Sequence, residues 1–189
     1  MVLGFLRILA VDNQTPRVLS GGGQPAKDGG PTVKALNDAR LVAIFRRQLE
    51  RGCVITMWDE WEPLVRQAHA RLVYIAKQES LTAYSELARH IGIPTFPDYE
   101  WFPLKIAWVS GACSQYELED GHPLISSLAI NQDTGKPGAG YWGFSTMPSH
   151  LLAANWEDRR KSPPEYVEDE RDEFWANEVK AVYRHWAGQ

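Results

Sequence analysis

The stretch TAYSELARHIG, residues 82–92, sets the reading of everything around it. Tyr84, Leu87, Ala88 and Ile91 recur at i, i+3, i+4 and i+7, which places four apolar side chains on one face of a short helix. Thr82 is the expected N-cap and Gly92 the expected stop. Pro94, Pro97 and Pro103 then interrupt the chain, with Tyr99, Trp101 and Phe102 among them. A second helix is predicted from Leu104 to about Glu119, with Ile106, Val109, Ala112 and Cys113 as its inner face and Gly121 as its end. PLISSLAIN (123–131) alternates as a half-buried strand, DTGKPG (133–138) is a turn cluster, and GYWGF (140–144) suits a second short strand. Helix, turn, helix and β-hairpin, in that order, predict a winged-helix core over 81–145.

Outward from this core the chain divides into three further regions. Residues 1–32 hold two glycine runs and Pro16, Pro25 and Pro31, and are expected to form a flexible N-terminal arm. A helical region, 33–80, contains one helix over 33–51 and another over 58–79. Leu41, Ile44, Phe45 and Leu49 form the inner stripe of the first, with Gly52 as its stop. Leu64, Ala68, Leu72 and Ile75 form that of the second, with Pro63 in its first turn. The C-terminal extension, 146–189, carries an acidic run from Glu165 to Glu173 and a last helix near 169–187 bearing Phe174, Val179, Val182 and Tyr183. The fold class expected is α+β, mainly α.

Apolar residues make up 44% of the 189, charged residues 23%, and the net charge is −4, which excludes a fibrous or wholly disordered chain. No run reaches the roughly 20 apolar residues of a membrane span, so no membrane association is expected. Arg7 sits inside the apolar start and no small-residue cleavage site follows, which argues against a secretory signal. Cys53 and Cys113 are expected to be reduced thiols in a cytoplasmic protein. Neither has metal-ligand spacing to a histidine, and His69, His90, His122, His150 and His185 are scattered, so no metal or cofactor is expected. Glu117, Glu119 and Asp120 at a helix end read as solvated carboxylates. The eight tryptophans read mainly as core.

The quoted segments, with DTGKPGAG (133–140) and the ending that bears Trp175 and Trp186, resemble a group of poorly characterised bacterial winged-helix proteins. Their core is similar to the DNA-binding domain of O6-alkylguanine-DNA alkyltransferases and alkyltransferase-like proteins. The resemblance covers about Thr82 to Phe144. It implies that Tyr84 lies near the DNA backbone. The reactive cysteine of those enzymes would fall within Ile125–Asn131, where there is none, and their intercalating arginine near Ala107 or Trp108, where there is none either. Alkyl transfer is therefore excluded and base flipping gains no support.

No nucleophile–base pair, metal spacing or phosphate loop stands out, so no enzyme is expected. Two functions fit. The first is a non-enzymatic, DNA-associated accessory protein with Tyr84, Ser85, Lys105, Gly135 and Lys136 on the DNA face, and Arg46 and Arg47 as further phosphate contacts. The second is a protein-interaction subunit, or homo-oligomer, within a larger bacterial assembly, using Tyr99, Trp101 and Phe102. The core favours the first. Its charge favours the second, because residues 81–145 hold three basic side chains against seven acidic ones.

Overall fold

The computed structural model describes residues 17–18, 36–95, 102–144, 146–152 and 165–187. The proposed N-terminal arm, apart from Arg17–Val18, lies outside the described residues, as do Tyr99 and Trp101.

Helix α1 (Asp38–Glu50) begins where the Asn37 side chain accepts the Arg40 backbone N–H at 3.0 Å, with Asp38 in the first turn and Arg47 in the last. Both charges suit the helix dipole. Leu41, Ile44 and Phe45 are buried as expected. Leu49 is not: it is 37% exposed, and the neighbouring Gln48 turns inward instead. The reason is polar. Gln48 Oε1 accepts the Trp61 indole N–H at 2.9 Å, and Gln48 Nε2 donates to the Trp108 carbonyl at 3.1 Å. A buried indole N–H needs an acceptor, and the Gln48 amide supplies it.

Helix α2 (Trp58–Lys77) carries Ala68, Leu72 and Ile75 on its buried stripe, with Leu64 partly covered. It starts at Trp58, so Pro63 falls in the second turn rather than the first. There the ring leaves the Asp59 carbonyl without its usual return bond from within the helix. Helix α4 (Phe102–Leu118) packs across α2, the largest contact between elements. It begins two residues before Leu104, and Ile106, Val109, Ala112 and Cys113 form its buried face. Helix α5 (Glu165–Ala187) closes the other side of α2, burying Trp175, Val179 and Val182. Trp175 is anchored by its indole N–H, which donates to the Ser127 carbonyl at 2.8 Å. Trp61, Trp142 and Trp175 are buried and Trp58, Trp108 and Trp186 pack against the core, as expected of most tryptophans.

The strands differ most from expectation. Thr82 does not cap a helix. It lies in β2 (Ser80–Ala83), whose four residues are all buried, and Ala83 is the N-cap of α3 (Tyr84–His90). Leu87, Ala88 and Ile91 of the predicted face are buried, and Gly92 at φ +80° ends the helix. The β-hairpin over 123–144 is not formed. Ile125–Leu128 make a 3-10 turn, only Ala129–Ile130 (β3) are extended, and they pair in parallel with Thr82–Ala83. Residues 140–144, expected as the second strand, instead fall mostly in another 3-10 helix, Ala139–Gly143. With β1 (Arg17–Val18) parallel to Ser80–Leu81, the sheet has the order β1-β2-β3. Full burial explains the failure. Ser126 and Ser127 are neighbours, of which strand alternation would turn one outward, yet both are inside, where Ser114 Oγ accepts the Ser126 N–H at 2.9 Å. The molecule is thus mainly α with a small parallel sheet, an α+β architecture. Among the described residues no helix is long and apolar enough to cross a membrane.

Candidate functional site

The N-terminal ends of α3 and α4 and the Asn131–Phe144 segment enclose a cavity of about 900 Å³. That is the size of a small-molecule or side-group site. Phe102, Leu104, Ile106 and Ala107 of α4 form an apolar wall, and Phe144 and Tyr141 face them. Ser85, Asn131, Gln132 and Asp133 supply a polar edge. The two sides are tied together by Tyr84, whose hydroxyl accepts the Gly138 N–H at 3.1 Å. Burial raises the pKa of Tyr84 more than this bond lowers it. The Tyr141 hydroxyl is buried in the same wall and has no hydrogen-bond partner among the described residues. Burial first, then the charge of Glu178, holds it protonated well above the usual phenol range.

Of the residues singled out by sequence, Tyr84 and Ser85 line this cavity, and Lys105 follows the lining residue Leu104. Gly135 and Lys136 lie in the loop that ends at Gly138. Gly135 has φ +68° and its N–H returns to the Asn131 carbonyl at 2.8 Å, closing a tight turn where a wing tip was expected. Both lysines are ion-paired. Lys105 meets Glu60, and Lys136 donates to Glu168 at 2.8 Å and Asp172 at 2.7 Å. Burial opposes the charge on Lys136, but the two carboxylates outweigh it and raise its pKa. Arg46 and Arg47 are elsewhere, on exposed α1, where Arg47 pairs with Glu119 near the far end of α4. Phe102 is at the cavity. Both cysteines are free and buried.

A second cluster was not legible from spacing. Glu117, expected to be solvated, is 3% exposed. Its Oε1 meets His69 Nε2 of α2 at 2.5 Å, and its Oε2 meets His122 Nδ1 at 2.7 Å. The His122 ring lies 4.1 Å from that of His185 on α5, which in turn packs edge-on against Trp186. Three of the five histidines described as scattered therefore converge on one carboxylate. Burial outweighs nothing here: it pushes Glu117 upward, yet the hydrogen bonds and charges of His69 and His122 bring its pKa below the ordinary carboxylate value. Burial, and then His122, depress the pKa of His185. Glu119 and Asp120 are drawn away by Arg40, which grips Asp120 through two nitrogens at 2.7 and 2.8 Å.

The placement of His122 follows from the end of α4. Gly121 sits at φ +72°, the left-handed region open to glycine, and its N–H bonds to the Leu118 carbonyl at 3.0 Å. The His122 N–H bonds to the Glu117 carbonyl at 3.1 Å. This is the Schellman closure, which folds the residue after the glycine back over the last turn. In ELEDGH (117–122) that residue is a histidine and the one beneath it a glutamate, so the signal was present in the sequence.

No protein-family model, no curated protein and no solved structure matches this chain.

Proposed function

We propose that the protein is a non-enzymatic, DNA-associated accessory module of the cytoplasm that engages nucleic acid at the cavity mouth. The finer reading of the fold goes with it. Helices α3 and α4 act as a helix-turn-helix, and the Asn131–Gly138 turn stands where a winged helix carries its wing. The observation that supports this most is that Tyr84 and Ser85 line the cavity, while Lys105 follows the lining residue Leu104 and Gly135 and Lys136 lie in the loop that ends at the lining residue Gly138. Phosphate contacts there require Lys105 and Lys136 to exchange carboxylates for phosphates. Binding is accordingly modest and steeply salt-dependent.

Those same ion pairs favour the second reading, a protein-interaction subunit of a larger bacterial assembly, because they leave the core's acidic excess dominant. Salt separates the two, since an apolar interface is little affected by it. The test is fluorescence anisotropy with labelled duplex and single-stranded DNA at low and physiological salt. Binding that weakens steeply with salt supports the DNA reading. No binding at low salt refutes it for this chain and leaves the partner reading.

A further inference from the structure

The geometry points to a divalent transition-metal site formed by Glu117, His122 and His185, of the kind that takes Zn²⁺. One ligand atom from each lies within 4.8 Å of the others. Tetrahedral zinc with nitrogen and oxygen ligands at about 2.0–2.2 Å needs ligand atoms roughly 3.3–3.5 Å apart. Small side-chain rotations close the widest separation and open the 2.7 Å contact between His122 Nδ1 and Glu117 Oε2. Two imidazoles and one carboxylate select zinc and its neighbours over magnesium or calcium, which prefer an all-oxygen shell. Three protein ligands leave a fourth position for water or another group.

Two further features support the assignment independently of proximity. The carboxylate is oriented from behind, because His69 holds Glu117 Oε1 while Oε2 meets His122. Such an outer contact fixes a ligand before the ion arrives. The ligands also come from three segments: the end of α4, the loop after it, and the end of α5. Both ring-bearing ligands are only partly buried, which gives an ion a route in. Glu117 lies about 9 Å along α4 beyond Gly111, counted at 1.5 Å per residue, and none of the three ligands lines the cavity, so the site is not part of the proposed nucleic-acid face. A bound ion would tie α5 to α4.

The test is calorimetric titration of the chelator-treated full chain with Zn²⁺, and absorption spectroscopy with Co²⁺ alone. One equivalent is expected to bind, with intense visible bands for Co²⁺ in a low-symmetry nitrogen–oxygen site. His122→Ala and His185→Ala should each weaken Zn²⁺ binding by more than about tenfold, and His69→Gln, which acts through Glu117, by about 10–100-fold. His150→Ala, whose imidazole pairs with Glu170 on the surface, should leave binding unchanged. Circular dichroism checks that each variant is folded. Absence of stoichiometric binding to the unaltered chain overturns the assignment, as does binding that survives both ligand substitutions.

Discussion

The Tyr84 hydroxyl and the Gly138 backbone N–H, 54 residues apart, meet at 3.1 Å and join the first residue of α3 to the loop that ends the cavity. A Cβ on Gly138 would stand 3.4 Å from the Tyr84 ring, so the loop lies on the ring as well as on its hydroxyl. Tyr84→Phe removes the acceptor and keeps the ring. It should lower unfolding stability by about 1 kcal/mol, the net worth of one such bond. Urea unfolding checks this, and an unchanged midpoint would show that the loop is held by packing alone.

Gln48 serves two buried tryptophan segments at once. Gln48→Met leaves the fully buried Trp61 indole N–H without its acceptor and removes the additional bond to the Trp108 carbonyl. The expected loss is about 2–3 kcal/mol. Trp61→Phe in the same background should cost less than it does in the wild type, because it removes a donor already left without an acceptor. A double-mutant cycle by denaturant unfolding measures the difference.

Lys136 balances Glu168 and Asp172, whose side chains are 48% and 10% exposed. Asp172 is the sensitive partner, since burial holds its pKa above the ordinary value even with Lys136 beside it. Lys136→Met should destabilise the fold by about 1–2 kcal/mol, less than a fully buried pair because Lys136 itself is partly exposed. Adding Asp172→Asn should recover much of the loss. No recovery would mean that the lysine stem, not its charge, matters.

The two thiols and the cavity tyrosines set the alkaline behaviour. Burial raises the pKa of Cys113 strongly, that of Cys53 as well, and those of Tyr84 and Tyr141. A group whose pKa is higher folded than unfolded gives full stability below its unfolded value and loses it as pH rises. Stability should therefore hold up to about pH 9, the ordinary thiol range, and decline above it. Thermal melts across pH 7–11 check this. Thiol reagents should label neither cysteine at pH 8 until denaturant is added, and rapid labelling of Cys113 in the native protein would contradict its burial.

Helical periodicity, with glycine stops, places the helices and most of the buried faces of α1 to α4, because a 3.6-residue stripe packs against a core; Leu49 of α1 is the exception. The hairpin failed for a definite reason. Alternation in 123–131 assumes that one face meets water, but Ser126 and Ser127 are both enclosed and hydrogen bonding among Ser114, Ser126 and the backbone replaces a strand ladder. Two-residue β3 then pairs with β2, a long-range parallel contact that no local pattern announces. The sequence singles out Lys105, Lys136, Tyr84 and Ser85 as candidates, but the carboxylates that pair the lysines come from α2 and α5, remote in sequence. The Glu117 cluster was not legible in local spacing because His69 comes from α2 and His185 from α5, both far in sequence from Glu117.

The most direct measurement blocks the cavity mouth. Gly140 is exposed, and a Cβ there meets no atom within 4 Å, so the variant chosen is Gly140→Trp. In the low-salt anisotropy titration, the variant should keep the wild-type melting temperature and bind duplex DNA about tenfold more weakly, a change of about 1.4 kcal/mol. Equal affinity of the folded variant and the wild type, or no DNA binding by the wild type, would contradict the account.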